Sequence, residues 1–378
     1  MLATVRQIAD YLEELAPPEI ALPGDPVGLQ VGDPRREVRK VLVALDLDEA
    51  VLKQALDVEA DMVVTHHPLL YTSLSCIDES RPSGSLIAAI IRNKITVYSA
   101  HTNLDIAPQG VNRLLADRLG LEEEGRVFIQ PSQEDRLLKL VVFVPRDHED
   151  AVADAVAEAG AGWIGRYSHC TFRAPGTGTF MPREGTSPYI GETGRLEKVE
   201  EVRLETVLPV SRRRAVLKAL LEAHPYEEVA YDLYPLALSP ETSGLGLVGT
   251  FSPPLGLEQI LERCRRELKP EGLRFWVPDK ERRYSRVAVC GGSGGSLVEA
   301  AFQRGAQLYI AGDFRYHDLK KAQSLGLGLI DAGHAATERL VVGCVEEYLR
   351  GRLARDGFST GVVAETRAVG SGWDYLEG

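Results

Sequence analysis

The chain has 378 residues, 44% of them hydrophobic and 26% charged, which is the balance of an ordinary globular protein with room for two or three domains. A formal net charge of −12 disfavours a nucleic-acid backbone as the main partner. No apolar run reaches the ~20 residues of a membrane span, no signal-peptide pattern opens the chain, and five scattered cysteines without a C-x-x-C argue against a disulfide framework or a zinc knuckle, so a cytoplasmic location is expected.

Thr4 and Gln7 are spaced as a capping box that opens a helix over 4–15. Residues 41–45 form a short apolar strand ending at Asp46, followed by a helix over 48–60, a strand over Met62–Thr65, a helix over 85–93, a strand over Thr96–Ser99 and a helix over 111–119. Apolar strands alternating with helices predict a parallel sheet covered on both faces. The rhythm then changes. Strands are expected at 139–144, 169–173, 202–207 and 229–234, with helices at 147–159 and 211–223 and a Gly- and Pro-rich loop over 174–194. That β-α-β-β-α-β order is ferredoxin-like. The first rhythm returns with strands at 287–290, 308–311 and 327–330, and with helices from 297, over 316–325 and over 337–350. The expected fold class is α/β. A two-half α/β domain with a mostly parallel sheet (1–130 and 243–378) is interrupted by an inserted ferredoxin-like α+β domain (131–242). The joins fall near 128–136 and 238–246, where Pro, Ser and Gly cluster.

Four of the eight histidines lie where these strands end, the region where open α/β sheets bind ligands. His66-His67 follows one strand, and Pro68 helps turn the chain so that neighbouring side chains can converge. The bland alternative is one buried and one exposed histidine. His101 and Asp105 follow a second strand. Asp105 is either a hard oxygen ligand or the cap of a turn, and His101 either a ligand or a neighbour that orients one or moves a proton. His334 and Glu338 follow a third strand at i,i+4, one helix face, a spacing that also occurs in surface pairs. Together His66, His67, Asp105, His334 and Glu338 supply three imidazoles and two carboxylates and no thiolate. That set suits zinc, iron, manganese or cobalt, and two divalent ions better than one.

Three further places are candidates for substrate contact or for structure alone. Residues 291–296, including Gly291, Gly292, Ser293 and Gly294, either cradle an anion or form a turn that needs positive φ. Asp313 and His317 follow another strand end and are assigned to substrate contact or to orienting a ligand. His224-Pro225-Tyr226-Glu227-Glu228 reads as a turn into an edge strand, and His148 and His169 as structural.

The segments Thr65-His66-His67-Pro68-Leu69, Ala100-His101-Thr102-Asn103-Leu104-Asp105 and Gly333-His334-Ala335-Ala336-Thr337-Glu338 resemble the Nif-three-like dinuclear-metal family, whose bacterial members are often labelled GTP cyclohydrolase type 2 homologues. Gly165-Arg166-Tyr167-Ser168-His169-Cys170, Gly176-Thr177-Gly178-Thr179-Phe180 and His224-Pro225-Tyr226-Glu227-Glu228 are similar to the insertion of its longer members, whose fold is like that of nitrogen-regulatory signalling proteins. The resemblance implies a two-metal site from His66, His67, Asp105, His334 and Glu338 with Glu338 as bridge, and a toroidal homohexamer. One stretch departs from it: where the family often has Trp-Asp-Asn-x-Gly-Leu, this chain has Gly24-Asp25-Pro26-Val27-Gly28-Leu29. The expected activity is metal-dependent hydrolysis of a nucleotide or phosphoester, with His101 as proton shuttle. The rival is a metal-binding regulatory or carrier protein that answers a small effector without turnover.

Overall fold

The computed structural model describes residues 1–133, 136–237 and 241–366. Two compact units divide the chain: Met1–Pro131 together with the chain from Ser243 onward, and Ser132–Thr242. Of the two stretches expected to hold the joins, residues 134–135 and 238–240 lie outside the described residues.

The first unit opens on the Thr4–Gln7 capping box, with the Thr4 hydroxyl accepting from Gln7 N and Gln7 Oε1 accepting from Thr4 N. Its first sheet has five strands in the order Gly361–Ala364, Lys40–Ala44, Met62–Thr65, Thr96–Ser99, Gly28–Val31. The first four run parallel, and Gly28–Val31 closes the edge antiparallel. These strands are apolar on both faces because both faces are covered. Val41, Val43, Met62, Val64 and Tyr98 pack under the Val5–Leu15 and Leu340–Arg355 helices. Leu42, Ala44, Val63 and Val97 pack under Glu49–Asp57 and Pro82–Arg92.

A second sheet of six strands runs Arg274–Trp276, Gly328–Asp331, Leu308–Gly312, Arg283–Ser293, Gly244–Gly256, Val127–Pro131. Only its three middle members beginning at Gly328, Leu308 and Arg283 are parallel, and the outer pairings are antiparallel. The expectation of one mostly parallel sheet is therefore corrected to two large sheets, the second mostly antiparallel in its pairings, beside a two-stranded pair of Ala3–Thr4 and Glu37–Val38. The physical reason lies at the edges. Gly28–Val31 closes one parallel block and Arg274–Trp276 and Gly244–Gly256 flank the other, while the halves exchange edge strands: Gly361–Ala364 joins the first sheet and Val127–Pro131 the second. The edge strands escape a pattern search because they are partly exposed and weakly apolar.

Two local expectations also change. The helix expected over 337–350 is two helices, His334–Glu338 and Leu340–Arg355, meeting at Arg339. Residues 291–293 continue the Arg283–Ser293 strand instead of leaving it as a loop.

The second unit is a four-stranded antiparallel sheet of Leu137–Pro145, Thr171–Phe180, Glu197–Pro209 and Tyr231–Pro235, ordered in space as fourth, first, third, second. Helices Glu149–Glu158 and Arg213–Ala223 cover one face, burying Val152, Val156, Val216 and Leu220 on Leu140, Val142, Val144, Leu204 and Leu208. Residues 174–180, expected as loop, are strand, with Gly176 opposite Glu201 and Gly178 opposite Val199. Ladder hydrogen bonds come from the backbone, so glycines with no strand preference are held in a long hairpin by the partner strand. No helix among the described residues is long and apolar enough to cross a membrane.

Candidate metal centre

Both sheets of the first unit deliver residues to one place. His66 and His67 follow Met62–Thr65 and still continue its ladder, with His66 N donating to Ala44 O (3.2 Å) and His67 N to Leu45 O (2.9 Å). His101 follows Thr96–Ser99 and immediately precedes the Thr102–Ile106 helix, whose last turn carries Asp105. From the second sheet, Gly328–Asp331 leads through Gly333, at φ +83°, into the one-turn helix bounded by His334 and Glu338. A residue with a Cβ is strained at that φ, so glycine sets the turn that aims His334 inward. The ring centroids of His66 and His67 are 5.1 Å apart, His66 and His101 5.4 Å, and His67 and His334 5.4 Å. Every residue of the expected ligand set is thus gathered, with His101 among them.

The four imidazoles share one arrangement. Each Nδ1 meets a protein acceptor: Ala100 O for His66 (2.8 Å), Asp46 for His67 (2.7 Å), Asp25 for His101 (2.8 Å) and Asp313 for His334 (2.8 Å). An Nδ1–H fixed in this way presents Nε2 as the free donor, which is how metal-binding histidines are oriented. Glu338 lies between them. Its Oε2 is 3.0 Å from His67 Nε2 and 3.1 Å from His334 Nε2, while its Oε1 is 3.8 Å from His66 Nε2. Asp105 Oδ1 stands 3.6 Å from His66 Nε2. The His66 ring is fully buried, Glu338 is 4% exposed and His334 is 37% exposed, so the cluster runs from a closed floor to an open rim.

Two atoms on the floor, His66 Nε2 and Asp105 Oδ1, are buried without any hydrogen-bond partner. Such groups are costly unless something pairs them. Three groups of donor atoms have mutual separations within 4.8 Å: His66, Asp105 and Glu338; His67, His334 and Glu338; and His66, His67 and His101. The residues therefore fit a divalent cation, with nitrogen and oxygen donors together.

The electrostatics point the same way. Burial without a partner raises the Asp105 carboxyl to about 7. Burial opposes charge on His67, but its hydrogen bonds to Asp46 and Glu338 outweigh that and raise it to about 10. The Glu338 hydrogen bond raises His334 to about 9. Burial works against Glu338 as an anion, yet its contacts with His334 and His67 and the nearby His66 imidazole hold it well below the usual carboxylate range. Positive charge is favoured at this centre, whether as protons or as a dication. His101 is shifted the other way, chiefly by burial.

The orienting carboxylates were the residues hardest to find from sequence. Asp46 obeys the same rule as the ligands, since it directly follows a strand. Asp25 sits inside the divergent Gly24–Leu29 stretch and also accepts from Thr102 N (3.0 Å) and Thr102 Oγ1 (2.5 Å). Asp313 is engaged by His334 and so acts as an orienting group. His317 is exposed and packs edge-on against Tyr316.

Within the expected anion loop, several backbone donors are engaged by the protein itself. Gly291 N donates to Asn112 Oδ1 (3.0 Å), Gly292 N to Thr337 Oγ1 (2.9 Å) and Gly294 N to Gly312 O (3.1 Å), while Ser293 pairs with Gly312 in the sheet. Three N–H groups of the run are thus held by protein acceptors. The glycines serve a different end: a Cβ on Gly292 would overlap Glu338 Oε1 and lie 3.3 Å from His334 Cε1. Asn112, which also donates to Asp105 O (2.7 Å), ties the Asp105 turn to the same strand.

A mixed α/β protein that gathers four imidazoles and two carboxylates in this way is of the class equipped to bind metal. The family model Duf34/NIF3 (NGG1p interacting factor 3) matches residues 3–367, and the chain belongs to that family. It is 43% identical over 331 residues to a Bacillus subtilis protein named GTP cyclohydrolase 1 type 2 homolog, covering 88% of each chain. A protein of the same name from Halalkalibacterium halodurans is 39% identical over 365 residues, covering 97% of each. The crystal structure of a Bacillus cereus protein related to NIF3 superposes with a TM-score of 0.82 at 38% identity, covering the whole of both chains.

Proposed function

We propose that His66, His67, Asp105, His334 and Glu338 hold two divalent ions, from among zinc, iron, manganese and cobalt, and that the protein is a metal-dependent hydrolase. Its substrate class is a nucleotide, as the GTP cyclohydrolase part of its relatives' names suggests, or a phosphoester. The observation that carries this reading is the pair of buried, unpartnered donors, His66 Nε2 and Asp105 Oδ1, facing a glutamate whose two oxygens address different histidines. In this reading Glu338 would serve both ions, since its Oε1 lies nearest His66 while its Oε2 lies nearest His67 and His334.

Paired dications at such a centre would supply Lewis acidity and a nucleophilic water near neutral pH. The chain's own residues do the rest. Asp46 and Asp313 hold the His67 and His334 rings in place, and Ala100 O fixes the His66 tautomer. His101, with Nδ1 held by Asp25, moves a proton at Nε2. In the same proposal, residues 132–242 are an inserted ferredoxin-like domain between two halves of an α/β domain. The protein works in the cytoplasm as a toroidal homohexamer, which light scattering would test.

The experiment is turnover of GTP by metal-reconstituted protein, with products identified by mass spectrometry and His67→Ala run beside it. Product from the wild type alone supports the hydrolase. No product across a panel of nucleotides and phosphoesters, with metal bound, overturns it. That outcome favours a regulatory or carrier protein, a second reading supported by the separate cavity of the Ser132–Thr242 unit.

A further inference from the structure

No described residue of the Ser132–Thr242 unit belongs to the donor groups of the metal cluster, yet the unit contains a cavity of about 640 Å³. That volume lies within the ~300–1,000 Å³ of small-molecule sites. Its position follows from strand alternation. Val142, Val144, Val202 and Leu204 are buried toward the helices, so Phe143, Glu201 and Arg203 face the opposite side of the sheet, where they line the cavity. Segments around 179–190 and 226–228 form its other walls, joined where Ser187 N donates to Glu227 (3.0 Å).

The lining has a specific chemistry. Phe180, Tyr189 and Tyr226 form a cluster, with ring centroids 5.8 Å apart for Phe180–Tyr226 and 6.3 Å for Tyr189–Tyr226. Both tyrosines are held. Tyr226 donates its hydroxyl to Glu201 Oε1 (2.9 Å), and the Tyr189 hydroxyl meets His148 Nε2 (3.0 Å). Glu201 is nine-tenths buried on this face. Its carboxylate occupies space left by Gly178, where a Cβ would lie 2.5 Å from Glu201 Cδ. Arg203 is the cation of the lining, but its Nε donates to Glu205 (2.8 Å) and its guanidinium lies over the Phe143 ring. Glu201, Glu227 and Glu228 therefore leave the lining negative.

A half-closed aromatic cage with a buried carboxylate at its wall suits a positively charged organic group, which gains from ring faces and acid together. We propose that this cavity is a binding site for a small organic cation, an ammonium carried on an aromatic or aliphatic body, and that Glu201 is the residue selecting its charge. The Gly176–Phe180 and His224–Glu228 sequences, which have no part in the metal centre, are explained by it: one makes room for Glu201 and supplies Phe180, and the other supplies Tyr226 and two of the acids.

The test is calorimetric titration of the full chain with three isosteric probes: phenethylammonium, the neutral 2-phenylethanol and the anionic 3-phenylpropanoate. The cation is expected to bind saturably, at least about tenfold tighter than the alcohol, with the anion weakest. Glu201→Gln keeps the hydrogen-bonding shape and is expected to weaken the ammonium at least about tenfold while leaving the alcohol unchanged. Tyr189 is half-exposed, so Tyr189→Ala removes a wall without opening the helix-covered core, and it should weaken cation and alcohol alike. Equal affinity for cation and anion, an unchanged ammonium affinity in folded Glu201→Gln, or no saturable binding of any probe overturns the assignment. None of these outcomes depends on whether the metal centre turns over a substrate.

Discussion

Gly292→Ala probes the metal centre from behind and separates two effects. Gly292 has φ +64°, and an alanine held in that region costs about 1–2 kcal/mol. At about 2–4 °C per kcal/mol, backbone strain alone lowers Tm by about 2–8 °C. The added methyl also overlaps Glu338 Oε1 and lies 3.0 Å from Glu338 Cδ. Ordinary non-bonded contacts are ~3.5–4.0 Å, and Oε1 is nearer still than Cδ, so the carboxylate must retreat by about 1 Å or more. Glu338 is buried and cannot swing into solvent. Displacing a group shared by three histidines is expected to lower metal affinity about 10- to 100-fold. Gly326→Ala is the control, since Gly326 has φ +69° with nothing within 4 Å of a built Cβ. Both variants should melt lower when metal-free, Gly292→Ala by more because of the overlap. Only Gly292→Ala should lose metal in competition with a chelator, followed by elemental analysis. Equal metal retention in the two folded variants would refute the claim that this glycine exists to seat Glu338.

Asp46→Ala removes the acceptor behind His67 and should weaken metal binding about 10- to 100-fold with little change in the melting of stripped protein; chelator competition reads it. Asp61 is buried at the start of a core strand and accepts from Arg39 N (2.8 Å), Arg39 Nε (2.9 Å) and Arg36 Nη2 (3.0 Å). Asp61→Asn should cost about 2 kcal/mol in urea unfolding, with the exposed Arg39 limiting the ionic part. Burial opposes the Asp61 charge, but its hydrogen bonds from Arg39 hold its pKa below the ordinary 3.8; the stability it provides is full above 3.8 and lost as pH falls through the folded value. His224 behaves differently. Its Nε2–H donates to Phe143 O and its Nδ1 accepts from Tyr226 N, so a second proton has no place, and burial lowers its pKa from 6.5. Its contribution is full above 6.5 and declines as pH falls from there toward the folded value. An NMR titration showing His224 protonated at or above pH 6.5 would contradict this.

Much of the site was legible because strand ends are legible. Met62–Thr65 and Thr96–Ser99 are short, wholly apolar and flanked by helices, so the polar residues that follow them have to lie at the sheet's edge. Asp25 was not legible as a partner of His101, since 76 residues separate them and no local pattern joins them. Residues 291–294 looked like an anion loop because glycine runs signal close approach without saying of what; here the approaching group is Glu338.

The sequence by itself determined the alternation of buried strands and helices, the change of rhythm near residue 139, and the set of histidines and acids available for chemistry. These depend on local periodicity and on side-chain type, which neighbours along the chain reveal. Tertiary structure alone decided that the two halves of the first unit exchange edge strands between two large sheets, that Glu338 lies between His67 and His334 while His66 meets Asp105, and that Phe180, Tyr189, Tyr226 and Glu201 close around a cavity. Those outcomes depend on strand order at the sheet edges and on contacts between residues far apart in the chain, where no pattern of spacing carries the information.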